Sequence, residues 1–226
     1  MEPEAIVRTA LQILDERGLE HVTLREIASR LGVKAPALYW HFRDKQDLVD
    51  DMAQAILTDA GLDKIQMPKD IGSWAEWLAD AAKSMRRALL SHREGGRVVA
   101  GASLFRAKSL ALLAFMASRV TREAGFDMAQ ASLAVTVVFD YVWGYVIEEQ
   151  AGFGPDPKEL SASGKSYEEV MEPIYRHLGP QMKALEAAAK EIDKLTPDER
   201  FDWGLQVIIT GLKSALKEAR RKSAMK

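Results

Sequence analysis

The chain has 226 residues, 47% of them hydrophobic and 28% charged, and 31 Lys and Arg against 33 Asp and Glu give it a formal net charge of -2. This composition excludes a disordered or fibrous chain, and the near-neutral total argues against a protein that coats nucleic acid without specificity. There is no cysteine, which excludes a disulfide framework, a thiolate nucleophile and Cys-ligated metal sites, and fits a cytoplasmic location.

The N-terminus and the most apolar stretch both favour a soluble protein. Met1-Glu2-Pro3-Glu4 is acidic where a signal peptide is basic, so no export signal is predicted. Met128 to Ile147 has about the ~20 residues of a membrane span, but Asp140 lies near its middle. Because a charge at mid-bilayer is costly, we expect a buried helix here.

Helix starts recur along the chain, and alternating strand patterns are missing. In a capping box, a hydroxyl side chain and a carboxylate three residues later each accept the other residue's backbone N–H at the start of a helix. This spacing occurs at Thr23/Glu26, Ser73/Glu76, Ser166/Glu169 and Thr196/Glu199, with a looser version at Asp127/Gln130. The apolar residues between these starts have helical spacing. The sequence therefore predicts an all-α fold. The expected helices lie near 3–17, 23–30, 35–41, 45–61, 73–91, 94–101, 104–124, 127–150, 167–192 and 197–221.

Two segments read as connectors. Residues 63–72 form a short linker that contains Pro68 and Gly72. Residues 151–166 contain three Gly, two Pro and three Ser, which predicts a loop longer than the usual ~4–6 residues.

A helix-turn-helix is predicted within the first fifty residues. A capped helix of about two turns ends at Leu31-Gly32, where glycine can close a helix in the left-handed conformation. A second helix begins with Pro36 in its first turn, and in this motif the second helix lies in the DNA major groove. The alternative from the pattern alone is a plain helical corner with a solvated basic face.

Local charge favours a DNA-binding role for this motif. Five basic residues against two acidic ones between Val22 and Lys45 give +3, so the rest of the chain sums to -5. Tyr39 and His41 can donate hydrogen bonds to phosphate, and Lys45 adds charge at the start of the next helix.

The segment Leu38-Tyr39-Trp40-His41-Phe42, followed by Lys45 and Leu48-Val49, resembles the DNA-binding signature of the tetracycline-repressor family of bacterial transcription regulators. The resemblance implies a dimeric repressor with a three-helix DNA-binding domain over 1–45 and an effector-binding and dimerisation domain over 46–226, which includes a connecting helix over 46–61. The expected DNA-binding residues are Arg25, Lys34, Ala35, Pro36, Ala37, Tyr39, Trp40, His41 and Lys45. Ala35 and Ala37 stand where the tetracycline repressor has polar groups, and a methyl group cannot form a bidentate base contact, so we expect a different operator.

The resemblance continues into the C-terminal part. Ala82 to Arg86, Ala88 to Arg93, Val146 to Gln150 and the segment from Gly204 to Leu212 are similar to the tetracycline-repressor class. In that class a histidine and polar side chains hold a magnesium–drug chelate. Here the matching positions are Gly61, Ala81, Val99, Ala102, Ser103 and Phe115, and only Glu148 keeps its type. One carboxylate is too little for Mg²⁺.

A pocket lined by methyl groups and a ring favours an apolar or aromatic effector without metal. The expected effector-binding residues are Met85, Leu89, Val99, Leu112, Phe115, Met116, Val135, Phe139 and Trp143, with Glu148 or Asp140 as the polar handle. Two alternatives remain: these residues form a plain core, or the site is filled by side chains and the protein represses without a small molecule.

The last predicted helix is apolar on more than one face. Phe201, Leu205 and Ile208 lie on one face, with Trp203 and Val207 beside it. A helix apolar that far around is buried on two sides, so the helices near 127–150 and 197–221 are expected to form a homodimer interface, the alternative being a monomeric core.

Enzyme motifs are missing from the sequence. The four histidines show no HExxH spacing, and there is no GxSxG, P-loop or GxGxxG segment. We expect no catalytic activity and no cofactor. The competing interpretation is a helical small-molecule carrier or sequestering protein whose helix-turn-helix is vestigial.

Overall fold

The computed structural model describes residues 2–59, 61, 74–102, 107–152, 164, 166, 169, 172–173, 176, 180–192 and 194–224. Over these residues all regular structure is helical, in agreement with the predicted all-α fold. The α-helices are α1 Pro3–Arg17, α2 Leu24–Arg30, α3 Lys45–Asp59, α4 Trp74–Leu90, α5 Gly95–Ala100, α6 Ala107–Ala124, α7 Met128–Ala151, α8 Pro180–Ile192 and α9 Pro197–Ala224. Short 3₁₀ helices cover Leu19–His21 and Ala35–Ala37.

The helix predicted over 35–41 is wrong in type. A 3₁₀ helix over Ala35–Ala37 is followed by turns up to His41. The amides of Ala37 and Leu38 bond three residues back, to Lys34 and Ala35, and only Phe42 bonds four residues back, to Leu38. Pro36 supplies no N–H, and so short a segment gains few α-helical bonds for the cost of nucleation.

Helix capping follows the predicted pairs. Asp127 and Gln130, Ser166 and Glu169, and Thr196 and Glu199 are each reciprocally bonded between side chain and backbone N–H. Thr23 Oγ1 accepts the Glu26 amide at 3.1 Å, but the Glu26 carboxylate is bonded to Arg17 and Arg30 instead. The predicted cap Ser73, the linker over 63–72, Ser103, most of the loop over 151–166 and much of the helix over 167–192 lie outside the described residues.

The chain forms two compact units, one of residues 1–150 with 208–226 and the other of residues 151–207. In the first unit α1, α2 and the 3₁₀ turn after α2 surround a small core of Ile6, Ile13, Leu14, Ile27 and Leu38. Helix α3 packs against α1, α4 and α5, and α4 packs against α5 and α6. The N-terminal helices and the helical core are therefore joined by continuous packing through α3.

Helix α7 has the length and apolar composition that a membrane span would need, with a mean hydropathy of 1.3 over its most apolar window. Its side chains at Ala134, Val138, Val142 and Val146 are buried within the protein. Core helices of soluble proteins have the same composition. The helix was predicted to be buried, but less than half of this window is buried here, and Leu133 and Val137 are exposed.

Candidate DNA-binding surface and effector region

The turn between α2 and the following 3₁₀ helix has the backbone geometry that a helix-turn-helix requires. Gly32 has φ +66, a conformation that costs glycine little, and the Val33 amide bonds the Ala28 carbonyl at 3.0 Å. These features end α2 and direct the chain into the segment that begins at Lys34.

Two buried side chains, Leu38 and Phe42, fix the segment from which the predicted DNA-binding side chains project into solvent. Leu38 and Phe42 are buried, whereas Tyr39 and His41 between them are exposed and Trp40 is 90% exposed. Aromatic rings are seldom left in water without a role, since burying them is strongly favourable. This exposed trio is therefore a candidate contact surface.

The other predicted DNA-binding residues lie on the same motif. Arg25, Lys34, Pro36 and Lys45 are exposed, and Ala35 and Ala37 are half-buried. The Lys45 ammonium group donates to the Leu19 carbonyl at 3.2 Å, which ties the start of α3 to the 3₁₀ helix that follows α1.

Two basic residues of the motif, Arg30 and Arg43, are already paired with carboxylates. Arg30 donates to Glu16 at 2.6 Å, and the pairing raises the pKa of Arg30 and lowers the pKa of Glu16. Arg43 donates to both carboxylate oxygens of Asp47, at 2.8 and 3.0 Å, and this raises the pKa of Arg43. Both arginines were included in the local charge of +3 between Val22 and Lys45. Their positive charges are already offset by the Glu16 and Asp47 carboxylates.

Polar contacts join α1 and the 3₁₀ helix after it to the turn between α4 and α5. The Asp15 carboxylate accepts the Arg93 amide at 3.0 Å and lies 3.0 Å from His92 Nδ1. Glu94, which has φ +55, accepts the Leu19 amide at 3.1 Å. A shift of this turn must therefore move α1 or break these contacts.

Helix α5 is fixed between α3 and α7. The Gln150 amide nitrogen donates to the His92 carbonyl at 2.8 Å, and its oxygen accepts the Gly96 amide at 3.1 Å. A Cβ atom on Gly96 would lie 3.2 Å from the side chains of Val146 and Ile147, so glycine permits this approach. From α3, Gln46 donates to the Gly101 carbonyl at 2.8 Å. Direct contacts therefore link α7 to α5 and α5 to α3.

The predicted effector-binding residues differ in burial. Met85, Leu89, Val99, Met116, Val135 and Phe139 are buried, Leu112 and Trp143 are half-buried, and Phe115 and Glu148 are exposed. The Phe139 and Trp143 rings lie 6.4 Å apart. Asp140 is exposed as well. The two carboxylates predicted as polar handles therefore do not lie in the interior of this chain.

Two family models match successive parts of the chain. Residues 6–52 match the model for bacterial regulatory proteins of the tetR family, and residues 67–216 match the tetracyclin repressor-like C-terminal domain. The chain is 34% identical over 212 residues to the tetracycline repressor protein class A from transposon 1721 of Escherichia coli, covering 94% of this chain and 90% of that protein. The chain belongs to the tetracycline-repressor family.

Solved structures agree with this family assignment. A possible TetR family transcriptional regulator from Streptomyces coelicolor A3(2) is 31% identical, with a TM-score of 0.73 over 95% of this chain and 100% of that chain. A TetR variant from Acinetobacter baumannii AYE in complex with minocycline is 28% identical, with a TM-score of 0.70 over 96% and 98% of the two chains. Family membership makes this chain a DNA-binding transcription regulator with a ligand-binding domain.

The family's C-terminal domain contains an ion pair here that the sequence did not reveal. Arg86 of α4 donates to both carboxylate oxygens of Glu149 on α7, at 2.9 and 2.6 Å, and its guanidinium lies 5.7 Å from the Tyr145 ring. Of the adjacent pair Glu148 and Glu149, it is Glu149 that faces the interior. Arg86 and Glu149 lie 63 positions apart on two different helices. No local pattern in the sequence therefore indicates that they contact each other.

Among the described residues no group of three or more His, Asp or Glu side chains is placed to hold a metal ion. The same part of the chain offers Mg²⁺ none of the clustered oxygen ligands that it prefers.

Proposed function

We propose that this member of the family is a homodimeric repressor that leaves its operator when a small apolar or aromatic effector binds without metal. The observation that carries the DNA-binding part is the exposed Tyr39-Trp40-His41 surface on its buried anchors. The proposal keeps residues 1–45 as the DNA-binding domain and residues 46–226 as the effector-binding and dimerisation domain, and it places the protein in the cytoplasm.

An unpartnered apolar stripe on α7 supports the dimer. Leu133 is 65% exposed and Val137 is 47% exposed, and Gly144 follows on the same face with nothing within 4 Å of its Cβ position. Apolar side chains exposed in a row favour a protein partner, and an open glycine permits close helix approach. Asp140 and Glu148 continue this stripe, so in the proposed dimer they face the partner rather than the interior of their own chain.

The last helix has a similar feature. Trp203 and Val207 of α9 are exposed, and nothing lies within 4 Å of the Cβ position of Gly211. A two-fold dimer suits a repressor, because two heads read two half-sites of a palindromic operator.

The effector proposal rests on the packing of α5. A ligand that displaces α4 or α7 changes the Gln150 contacts to the α4–α5 turn. That turn is bonded to Asp15 of α1 and to Leu19 of the 3₁₀ helix that follows α1. To shift operator occupancy from 99:1 to 1:99, the effector must favour the released state by about 5.5 kcal/mol.

Gel shift with DNA from the promoter region of the protein's own gene tests the DNA-binding residues. Tyr39→Ala and Lys45→Ala are expected to weaken binding about 10-fold or more, because each removes a donor to phosphate. Lys45→Ala is also expected to flatten the dependence of affinity on salt, since one fewer counterion is released on binding.

Arg122→Ala is the matched control, because Arg122 is exposed on α6, far along the chain from the motif. It is expected to bind DNA like the parent. If the Tyr39 and Lys45 variants also bind like the parent, the proposed DNA contacts are wrong, and the carrier with a vestigial helix-turn-helix becomes the better interpretation.

Calorimetry with magnesium and tetracycline tests the metal-free effector. We expect no binding in the micromolar range, because Val99 and Ala81 supply no ligands and the described residues contain no carboxylate cluster. Titration of tetracycline without magnesium is the control. Micromolar binding that requires magnesium would contradict the proposal.

A further inference from the structure

Three buried nitrogen donors in the C-terminal domain lack a hydrogen-bond partner among the described residues: Trp77 Nε1, Arg119 Nη1 and Trp143 Nε1. Trp77 is 1% exposed, and its Nε1 has no acceptor among the described residues. Arg119 Nη1 is likewise buried without an acceptor in this part of the chain. Buried polar groups are paired in the great majority of cases, so each exception requires an explanation.

Trp77 and Arg119, which carry two of these three donors, contact each other. The Arg119 guanidinium lies 5.8 Å from the Trp77 ring and 4.8 Å from the Phe115 ring. The cation is therefore held against two aromatic rings where α4 packs on α6. Cation–π contacts of this kind fix the position of a guanidinium but leave its N–H groups free to donate.

Both side chains share a helix face with predicted effector-binding residues. On α6, Leu112, Phe115 and Arg119 follow the i, i+3, i+7 spacing of one face. On α4, Trp77, Ala81 and Met85 follow an i, i+4, i+8 spacing, and all three are buried. The unpaired donors are thus continuous with the apolar residues that the sequence assigns to the effector.

Leaving these donors unpaired is costly. A buried donor without an acceptor loses its hydrogen bonds to water and gains none in return, and a charged donor loses more. No carboxylate of the described residues forms an ion pair with Arg119. An acceptor that carries negative charge would remove both penalties at once, because it can take a charge-assisted bond from the guanidinium and a second bond from the indole.

We propose that the effector is an organic anion, in which a carboxylate or similar group binds Arg119 Nη1 and Trp77 Nε1 while its apolar body contacts Phe115, Met85 and Leu112. This inference deepens the proposed function and rests on it. It also replaces the predicted handle: the polar anchor is the cation Arg119, and the exposed Glu148 and Asp140 have no part in it.

A matched pair of fluorescent probes tests the charge requirement directly. 8-Anilinonaphthalene-1-sulfonate and N-phenyl-1-naphthylamine have the same aromatic body, and only the first carries an anionic group. With the full-length protein, the sulfonate is expected to bind about 10- to 100-fold more tightly than the uncharged amine, which is the range that one charge-assisted hydrogen bond provides.

Three variants locate the effect. Arg119→Met should lose this 10- to 100-fold preference while still binding the uncharged probe, which shows that the core is intact. Trp77→Phe keeps an aromatic ring but removes the Nε1 donor, and should lose about 3- to 10-fold of the sulfonate affinity. Arg122→Met, an exposed arginine on the same helix, is the control and should bind both probes like the parent.

Each result decides the inference. It is overturned if the parent prefers neither probe, if the parent binds neither probe below about 100 µM, or if Arg119→Met keeps the preference. Operator gel shift on the same samples distinguishes failure of the anionic-effector proposal from failure of the proposed function. If the parent binds DNA but does not prefer the sulfonate, only the anionic effector is wrong. If the parent does not bind DNA, the proposed repressor function is wrong.

Discussion

Arg86→Met is expected to lower the free energy of unfolding by about 3–5 kcal/mol. The Arg86 and Glu149 side chains are only 9% and 13% exposed, and they are bonded through two nitrogen–oxygen pairs. Removing the guanidinium leaves a buried carboxylate with no counter-charge, which is among the most costly single changes in a protein core. Urea denaturation followed by circular dichroism measures the loss.

The double variant Arg86→Met with Glu149→Met distinguishes the net contribution of the ion pair to stability from the cost of leaving one buried charge unpaired. Since replacing both partners of a buried pair by apolar groups is often neutral, the double variant should recover most of the stability that the single variant loses. Arg87→Met is the control, because Arg87 is exposed on the same helix, and it should change the stability by less than about 0.5 kcal/mol. Equal losses in the single and double variants would mean that the ion pair itself stabilises the fold.

The local features of the fold were predictable because they depend on residues close in sequence. The Asp127/Gln130 and Thr196/Glu199 caps formed as their spacing indicates. The position of the helix-turn-helix followed from Gly32 and from the apolar spacing around it. Its second helix was the exception, because Pro36 and the short length of the segment leave a 3₁₀ turn where the pattern predicted an α-helix.

The interior of the C-terminal domain was less predictable, because its contacts join distant residues. Arg86 and Glu149 are 63 positions apart, and Trp77 and Arg119 meet across two helices. Helix α7 is apolar on nearly all sides, so periodicity could not distinguish the buried Val138 from the exposed Val137. Glu148 was predicted as a polar handle because its position matches the tetracycline-repressor class, but the neighbouring Glu149 is the one that faces the interior.

Val137→Glu combined with Leu133→Glu is expected to give a monomer that binds the operator at least about 100-fold more weakly. The two side chains supply the apolar part of the α7 face that the proposed dimer buries. Two further carboxylates there lose that apolar contact and add repulsion between like charges to the existing charges of Asp140 and Glu148. A monomer contacts only one half-site of the operator and loses the affinity and sequence specificity that the second DNA-binding domain supplies. Sedimentation velocity measures the mass, and gel shift measures the affinity on the same sample.

Ala111→Glu controls for added charge, because Ala111 is exposed on α6 and the substitution places a carboxylate on a helix outside the stripe. It should stay dimeric and bind the operator like the parent. Because Val137 and Leu133 are already solvent-exposed in the single chain, their replacement should leave its folding largely unchanged, and a monomer with parental circular dichroism would assign the loss of DNA binding to the interface. A double variant that remains dimeric would show that this face of α7 is not where two chains meet, and the exposed Trp203 and Val207 of α9 would then be the next surface to substitute.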